Sequence, residues 1–116
     1  MALEQTSFDF EPARRVFTVA ELSAEIRALL DSRFAGVWVA GEISGTKVSS
    51  GGHHYFTLKD AQAQLRCVAF RNAARLLKFK PQDGIAVIAR GRIDVYEPRG
   101  EYQLIVEALE PQGPCP

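Results

Sequence analysis

The chain has 116 residues, of which 47% are hydrophobic and 24% charged, a size and composition that fit one globular domain with a single core. Its 14 basic and 14 acidic side chains balance, but residues 45–100 hold ten of the bases and four of the acids, a net charge of +6. No apolar run approaches the ~20 residues of a membrane-spanning helix. The two cysteines and two adjacent histidines do not have the spacing of a four-ligand metal site, so we expect no metal and no cofactor.

The ends of the chain differ from its middle. Residues 1–15 show no helical or strand period and are expected to form a flexible arm, in which Phe8 and Phe10 could dock on another surface. The arm has acids and no apolar signal sequence, so we expect a cytoplasmic protein. Residues 16–110 are expected to form the domain, and the proline-rich residues 111–116 are typical of a linker to a further region.

The first regular element is a helix. Thr18 and Glu21 have the spacing of a capping box, in which each side chain accepts a hydrogen bond from the other residue's backbone N–H. The helix is expected to continue to about Phe34. One apolar stripe predicts that it plugs the core, with a partner-docking surface as the alternative. The stripe consists of Val19, Leu22, Ile26, Leu29 and Leu30.

Five strand candidates follow the helix. They are Val37–Ser44, His54–Asp60, Gln64–Phe70, Ile85–Tyr96 and Tyr102–Leu109. Asn72 is predicted to cap a short helix, Ala73–Phe79, between the third and fourth strands. Gly41 and Gly91 interrupt strands at positions where a bulge or a sharp bend is expected. The pattern predicts an all-β domain with helical additions: a five-stranded OB-fold Greek-key barrel with an N-terminal helix and a short helix between strands 3 and 4.

The second strand carries the most direct indication of function. Phe56 and Leu58 alternate toward the core, whereas Tyr55, Thr57 and Lys59 share the solvent-facing side. An aromatic ring beside an ammonium group suits single-stranded nucleic acid, because a base can stack on the ring while the cation meets a phosphate. Ordinary exposed strands also favour Tyr and Thr, so an unspecialised surface is the alternative.

A barrel of this kind binds its ligand across strands two and three, between the first-to-second and fourth-to-fifth loops. Arg66 falls on the same side as Tyr55 and Lys59, where it could contact phosphate or stack on a base. Lys47 and Arg99 are predicted at the tips of the two loops. The candidate nucleic-acid-binding residues are Tyr55, Lys59, Arg66, Lys47, Arg99, Trp38, His53 and Arg92.

Several of these side chains are open to two interpretations. Trp38 is expected to share the sheet surface with Tyr55, near the barrel end, and Arg92 could equally be solvated surface. Phe70 is expected to cap the core rather than to extend the stacking surface. His53 is expected to stack on a base, because no nucleophile or carboxylate pair accompanies it at catalytic spacing. The chain therefore has the features of a binding module without catalytic residues.

Two blocks of sequence resemble a known family. The block YFTLKD…LRCVAFR and the hairpin YEPRGEYQL are similar to the N-terminal domain of exodeoxyribonuclease VII large subunits, and the likeness extends from Val16 to Gly113. In that family an OB-fold binds DNA and precedes a nuclease domain and long helices that recruit small subunits. The holoenzyme hydrolyses single-stranded DNA from both ends to oligonucleotides without requiring a divalent metal. The resemblance implies a domain that delivers single-stranded DNA to a nuclease, with catalytic residues outside this chain.

Two other functions fit the same residues. The order aromatic, apolar, polar, apolar, basic, acidic in strand two also resembles RNA-binding OB domains of the anticodon-recognition type. A protein–protein interaction module is the third hypothesis, with the Val19–Leu30 helix or the Phe8–Phe10 arm as the docking element.

Overall fold

A computed structural model describes residues 14–112, whose backbone forms a closed five-stranded barrel with two helices. The strands are β1 (Val37–Val48), β2 (His54–Lys59), β3 (Gln64–Ala69), β4 (Ala86–Tyr96) and β5 (Glu101–Pro111), and the helices are α1 (Val19–Arg33) and α2 (Arg71–Leu76). The strand order around the barrel is β1-β2-β3-β5-β4; β3 and β5 are parallel and the other pairs antiparallel. This arrangement confirms the predicted OB-fold. Phe8, Phe10 and the C-terminal linker lie outside the described residues.

Alternate residues of every strand fill the barrel interior. Ile43, Phe56, Cys67, Val87 and Leu104, one from each strand, are each at most 2% exposed. Burying a side chain of this size typically stabilises a fold by about 1.5–3 kcal/mol. Because side chains alternate across a strand, the same pattern leaves the intervening residues on the outer surface of the barrel.

β1 continues past its predicted end at Ser44 to Val48. Its register against β2 shifts between Ser44 and Lys47, so the bulge lies there. Of the two alternatives predicted for Gly41, a bulge or a sharp bend, the bulge is wrong. A Cβ on Gly41 would lie 3.2 Å from the Cβ of Leu58. Gly41 therefore allows two strands to approach closely while β1 changes its pairing partner from β4 to β2.

Gly91 allows β4 and β5 to approach each other still more closely. A Cβ there would lie 2.0 Å from the carbonyl oxygen of Ile105, which no real side chain could tolerate. The register of β4 against β5 also shifts beside this glycine, after Arg90. Gly91 therefore marks an irregularity in β4, as the sequence predicts.

The predicted capping box starts α1. Thr18 Oγ1 accepts a hydrogen bond from Glu21 N at 3.0 Å, and the Glu21 carboxylate accepts one from Thr18 N at 2.9 Å. The helix ends at Arg33, and Phe34 N donates to Leu30 O at 2.7 Å. Both boundaries agree with the sequence prediction, because they depend on contacts within one or two turns.

The predicted role of α1 as a core plug is wrong. The helix has no buried residue, and Leu22 and Ile26 each remain 44% exposed. The side chains of the strands already fill the barrel, so the helix lies beside β4 and leaves an apolar groove of about 710 Å³ against the barrel end. Ile26, Leu30 and Phe34 line the groove on the side of the helix.

The predicted start of α2 is also wrong. The helix begins after Phe70, which has no capping side chain, so Asn72 lies inside the first turn instead of preceding it. Neither helix within residues 14–112 is long and apolar enough to span a membrane.

Candidate nucleic-acid interface

The outer face of β2 and β3 brings together three of the predicted residues. β2 contributes Tyr55 and Lys59, and β3 contributes Arg66. In the register of the two strands, Tyr55 stands opposite Val68 and Thr57 opposite Arg66. Tyr55 is 41% exposed and the Arg66 side chain 61% exposed. An aromatic ring and a cation therefore share an accessible sheet surface.

A row of outward-facing register partners crosses this surface at Tyr55. From β1 to β4 it runs Lys47, Tyr55, Val68, Ile105 and Arg92. Val68 and Ile105 are only 1% and 7% exposed although they are not part of the barrel interior. Tyr55 therefore stands beside apolar side chains that the rest of the domain covers, and cross-strand packing of this kind orients an aromatic side chain.

The cations at the two ends of this row, Lys47 and Arg92, lie at different distances from the β2–β3 face. Lys47 belongs to β1 and not to a loop tip as predicted, and it is the direct neighbour of Tyr55. Arg92 is on β4, where its Nη1 lies 3.4 Å from Asp94 Oδ2. The structure therefore brings Lys47 to the β2–β3 face and leaves Arg92 two strands away from β3, beside an acid of its own strand.

An aromatic pair lies at the end of the face next to the β1–β2 loop. His53 Nδ1 accepts a hydrogen bond from Arg71 N at 3.0 Å, and the His53 and Phe70 rings meet edge to face with centroids 5.5 Å apart. Phe70 is 43% exposed, so the expectation that it caps the core is wrong. The even spacing of Arg66, Val68 and Phe70 is the sequence signal that predicts one side for all three, with Phe70 in extended backbone just beyond the end of β3.

The β4–β5 hairpin forms the opposite end of the face. Its turn is closed by Gly100 N, which donates to Glu97 O at 3.2 Å, and Gly100 has a φ of 64° that favours glycine. Arg99 is exposed at the tip, as predicted. Glu101, the first residue of β5, lies 3.7 Å from Arg66. The hairpin is therefore in ionic contact with the face that it borders.

Lys59 occupies a more acidic setting than Lys47. It stands opposite Glu42 in the β1–β2 register. Hydrogen bonds from Thr46, and to a smaller extent the charge of Lys59, hold the pKa of Asp83 below its usual value. Within residues 14–112, no carboxylate oxygen lies within 4 Å of either lysine. Both ammonium groups can therefore approach a phosphate.

Trp38 lies on a different surface of the barrel. Its cross-strand partner is Arg90 of β4, whose guanidinium is 5.7 Å from the ring centroid. Arg90 in turn lies 3.8 Å from Glu107. β1 pairs with β2 only from Glu42 onward, so the structure separates Trp38 from Tyr55, contrary to expectation. The coiled path of β1 through two strand partners explains the separation.

A closed five-stranded barrel with an aromatic and cationic face on β2 and β3 has the architecture of nucleic-acid-binding OB-folds. The family model for the OB-fold nucleic acid binding domain matches residues 17–110, and the chain belongs to this family.

Curated relatives are similar to this chain over most of its length. The large subunit of exodeoxyribonuclease 7 from Geotalea uraniireducens is 60% identical over 100 residues, which make up 86% of this chain and 22% of that protein. The protein of the same name from Geobacter metallireducens is 56% identical over 102 residues, 88% of this chain and 22% of that protein. The chain therefore spans less than a quarter of the length of these relatives, and the predicted resemblance to this family is confirmed.

A solved structure shows the same fold. Asparaginyl-tRNA synthetase from Pyrococcus horikoshii, in complex with asparaginyl-adenylate, matches with a TM-score of 0.55 and 21% sequence identity. The match covers 76% of this chain and 21% of the synthetase chain. At this identity the likeness concerns the fold alone.

Proposed function

We propose that this chain binds single-stranded DNA across the outer face of β2 and β3. The observation that carries the proposal is the pairing of an exposed aromatic ring, Tyr55, with an exposed guanidinium, Arg66, on adjacent strands of a nucleic-acid-binding OB-fold. A base that stacks on such a ring typically contributes about 1–3 kcal/mol. Stacking tolerates every base, so the binding is independent of sequence.

The remaining side chains extend this contact in both directions. Lys47, opposite Tyr55 on β1, and Lys59, at the end of β2, contact backbone phosphates. Arg99 contacts a phosphate at the hairpin tip. The exposed Phe70 ring, held edge to face by His53, offers a second stacking surface next to the β1–β2 loop. The bound strand then runs from this loop to the β4–β5 hairpin.

In the larger protein, the domain delivers single-stranded DNA to a nuclease region that hydrolyses it exonucleolytically to oligonucleotides. The names of the relatives support this role, because they are large subunits of an exodeoxyribonuclease and are more than four times as long as the matched segment. The catalytic residues belong to the nuclease region. The partners are the rest of the large subunit and, through it, the small subunits, and the site of action is the cytoplasm.

Fluorescence anisotropy of a labelled oligo-dT, titrated with the 116-residue chain at low and moderate salt, tests the proposal. We expect saturable binding that weakens as salt rises, because phosphate contacts release counterions. Unlabelled duplex should compete poorly. Preference for an RNA loop over oligo-dT would instead favour the anticodon-recognition type of OB domain. No saturation at high micromolar protein in low salt would contradict the proposal and favour an interaction module.

A further inference from the structure

α1 is joined to the base of the β4–β5 hairpin by one arginine. Arg27 Nε lies 3.1 Å from Asp94 Oδ1, Nη2 donates to Val95 O at 2.9 Å, and Nη1 lies 3.0 Å from Glu97 Oε2. All three nitrogens of the guanidinium therefore contact the last residues of β4 and the first residue of the turn. A planar fork of fixed donors can make these contacts together, whereas a lysine cannot.

These polar contacts join α1 to β4 beside the apolar groove that Ile26, Leu30 and Phe34 line. No residue of α1 is buried, and just after the helix the carbonyl oxygen of Phe34 accepts a hydrogen bond from Ile93 N of β4 at 3.0 Å. Partial burial tends to raise the pKa of Asp94, but a hydrogen bond from Val95 N and the charge of Arg27 outweigh it and lower that pKa. The carboxylate that receives Arg27 is therefore ionised at neutral pH.

The hairpin that Arg27 contacts also reaches the candidate interface. Arg99 lies at its tip, and Glu101 at its far side lies 3.7 Å from Arg66. The connection runs from α1 through Arg27 to the hairpin, whose exposed Arg99 is the cation that the hairpin offers to the bound strand. Movement of the helix away from β4 would release the residues that border the bound strand.

We infer that α1 is a strut that fixes the β4–β5 hairpin for substrate binding, and that Arg27 is its positioning residue. Arg27 acts through the hairpin and not by touching DNA. The consequence for DNA binding rests on the proposed function, whereas the consequence for hairpin mobility does not.

Limited trypsin digestion measures hairpin mobility directly, because Arg99 is a cleavage site at the tip. We expect the rate of cleavage after Arg99, followed by mass spectrometry, to rise at least threefold in Arg27→Ala. Arg33→Ala is the matched control. It removes one positive charge from the last turn of the same helix, and within residues 14–112 no carboxylate lies within 4 Å of Arg33. Cleavage after Arg99 should remain at the wild-type rate in this control.

Affinity for oligo-dT is the second readout. Arg27→Ala should weaken binding about three- to tenfold, because it loses three charge-assisted contacts at a partly exposed site. Arg33→Ala should change the affinity less than twofold. Arg27→Lys keeps the charge and the helix propensity, so it tests geometry without impairing folding, and its affinity should lie between those of Arg27→Ala and the wild type.

Two results would overturn the inference: equal cleavage after Arg99 in Arg27→Ala and Arg33→Ala, or equal loss of affinity in those two variants. Faster cleavage in Arg27→Ala, together with no DNA binding by the wild type, would support the strut and refute the proposed function. The unfolding midpoint of each variant, measured by circular dichroism, should stay within a few degrees of the wild type.

Discussion

Arg66 of β3 and Glu101 of β5 face each other across the edge of the candidate interface, with Nε and Oε1 3.7 Å apart. Their side chains are 61% and 49% exposed, and ion pairs at such exposure contribute only about 0.2–1 kcal/mol. A phosphate that approaches Arg66 must compete with this carboxylate and is repelled by it. Glu101 should therefore lower the affinity of the domain for DNA.

Replacing Glu101 by Gln should strengthen the binding of single-stranded DNA. The variant removes one negative charge next to Arg66 and keeps the shape of the side chain, so we expect about two- to fivefold tighter binding at low salt. The gain should shrink as salt rises, because exposed charges are screened. Anisotropy titrations of oligo-dT at several salt concentrations measure both effects.

Glu107→Gln is the matched control for this prediction. Glu107 lies 3.8 Å from Arg90, on the Trp38 surface of the barrel, and its replacement removes the same charge. We expect no more than a small change in affinity. Equal gains in the two variants would mean that net charge, and not competition at Arg66, sets the affinity.

Tyr55 and Trp38 provide a second comparison between the two outer surfaces. Both are exposed aromatics, at 41% and 58%, but only Tyr55 lies on the β2–β3 face. Tyr55→Ala should weaken binding about 5- to 150-fold, which corresponds to the loss of one stacked base. Trp38→Ala should leave the affinity within twofold of the wild type. Anisotropy titrations with oligo-dT measure this comparison.

Tyr55→Phe separates stacking from hydrogen bonding, because it keeps the ring and removes the hydroxyl. We expect it to bind nearly as well as the wild type, and circular dichroism should show that all three variants keep the fold. A larger loss in Trp38→Ala than in Tyr55→Ala would move the interface to the β1–β4 surface.

Features that depend on local chemistry could be predicted from the sequence. The capping box of Thr18 and Glu21, the alternation of Phe56 and Leu58, and the turn at Gly100 each involve residues a few positions apart. The OB-fold also followed from five short strands with a helix between the third and the fourth. The same alternation placed Tyr55, Lys59 and Arg66 on one face correctly.

Features that depend on distant parts of the chain could not be predicted. The position of Trp38 is set by where β1 changes partners, and the setting of Arg66 by the approach of Glu101 from another strand. The apolar stripe of α1 is typical of a buried helix, but the strands fill the barrel without it. A stripe shows which face of a helix is apolar and does not show whether space remains beneath that face.

Gly91 should be among the positions least tolerant of substitution. In Gly91→Ala the new Cβ would lie 2.0 Å from the carbonyl oxygen of Ile105, so the backbone of β4 or β5 must move. We expect a loss of about 2–3 kcal/mol or more in the free energy of unfolding. Gly36→Ala is the control, because a Cβ at Gly36 meets no atom within 4 Å. Urea denaturation should show less than about 0.5 kcal/mol change there.

Cys67 makes stability dependent on pH in the alkaline range. The thiol is 1% exposed, and burial raises its pKa from 9.0 to about 12, against a smaller opposing hydrogen bond at Leu58. Above pH 9 the unfolded chain loses this proton while the folded chain keeps it, so the unfolded state is favoured progressively. The stability contributed by the neutral thiol is complete below pH 9 and is lost as the pH rises toward 12.

Comparison with Cys67→Ala isolates this effect, because the two proteins differ in no other side chain. Between pH 9 and 11 the wild type should lose up to about 1.4 kcal/mol of unfolding free energy per pH unit relative to the variant. The variant itself should be less stable at pH 7.5, because it leaves a small cavity beside Phe56 and Leu104. Urea titrations under reducing conditions at pH 7.5, 9 and 10.5 measure the difference. Parallel pH profiles for the two proteins would show that the Cys67 thiol does not titrate differently in the folded and unfolded states.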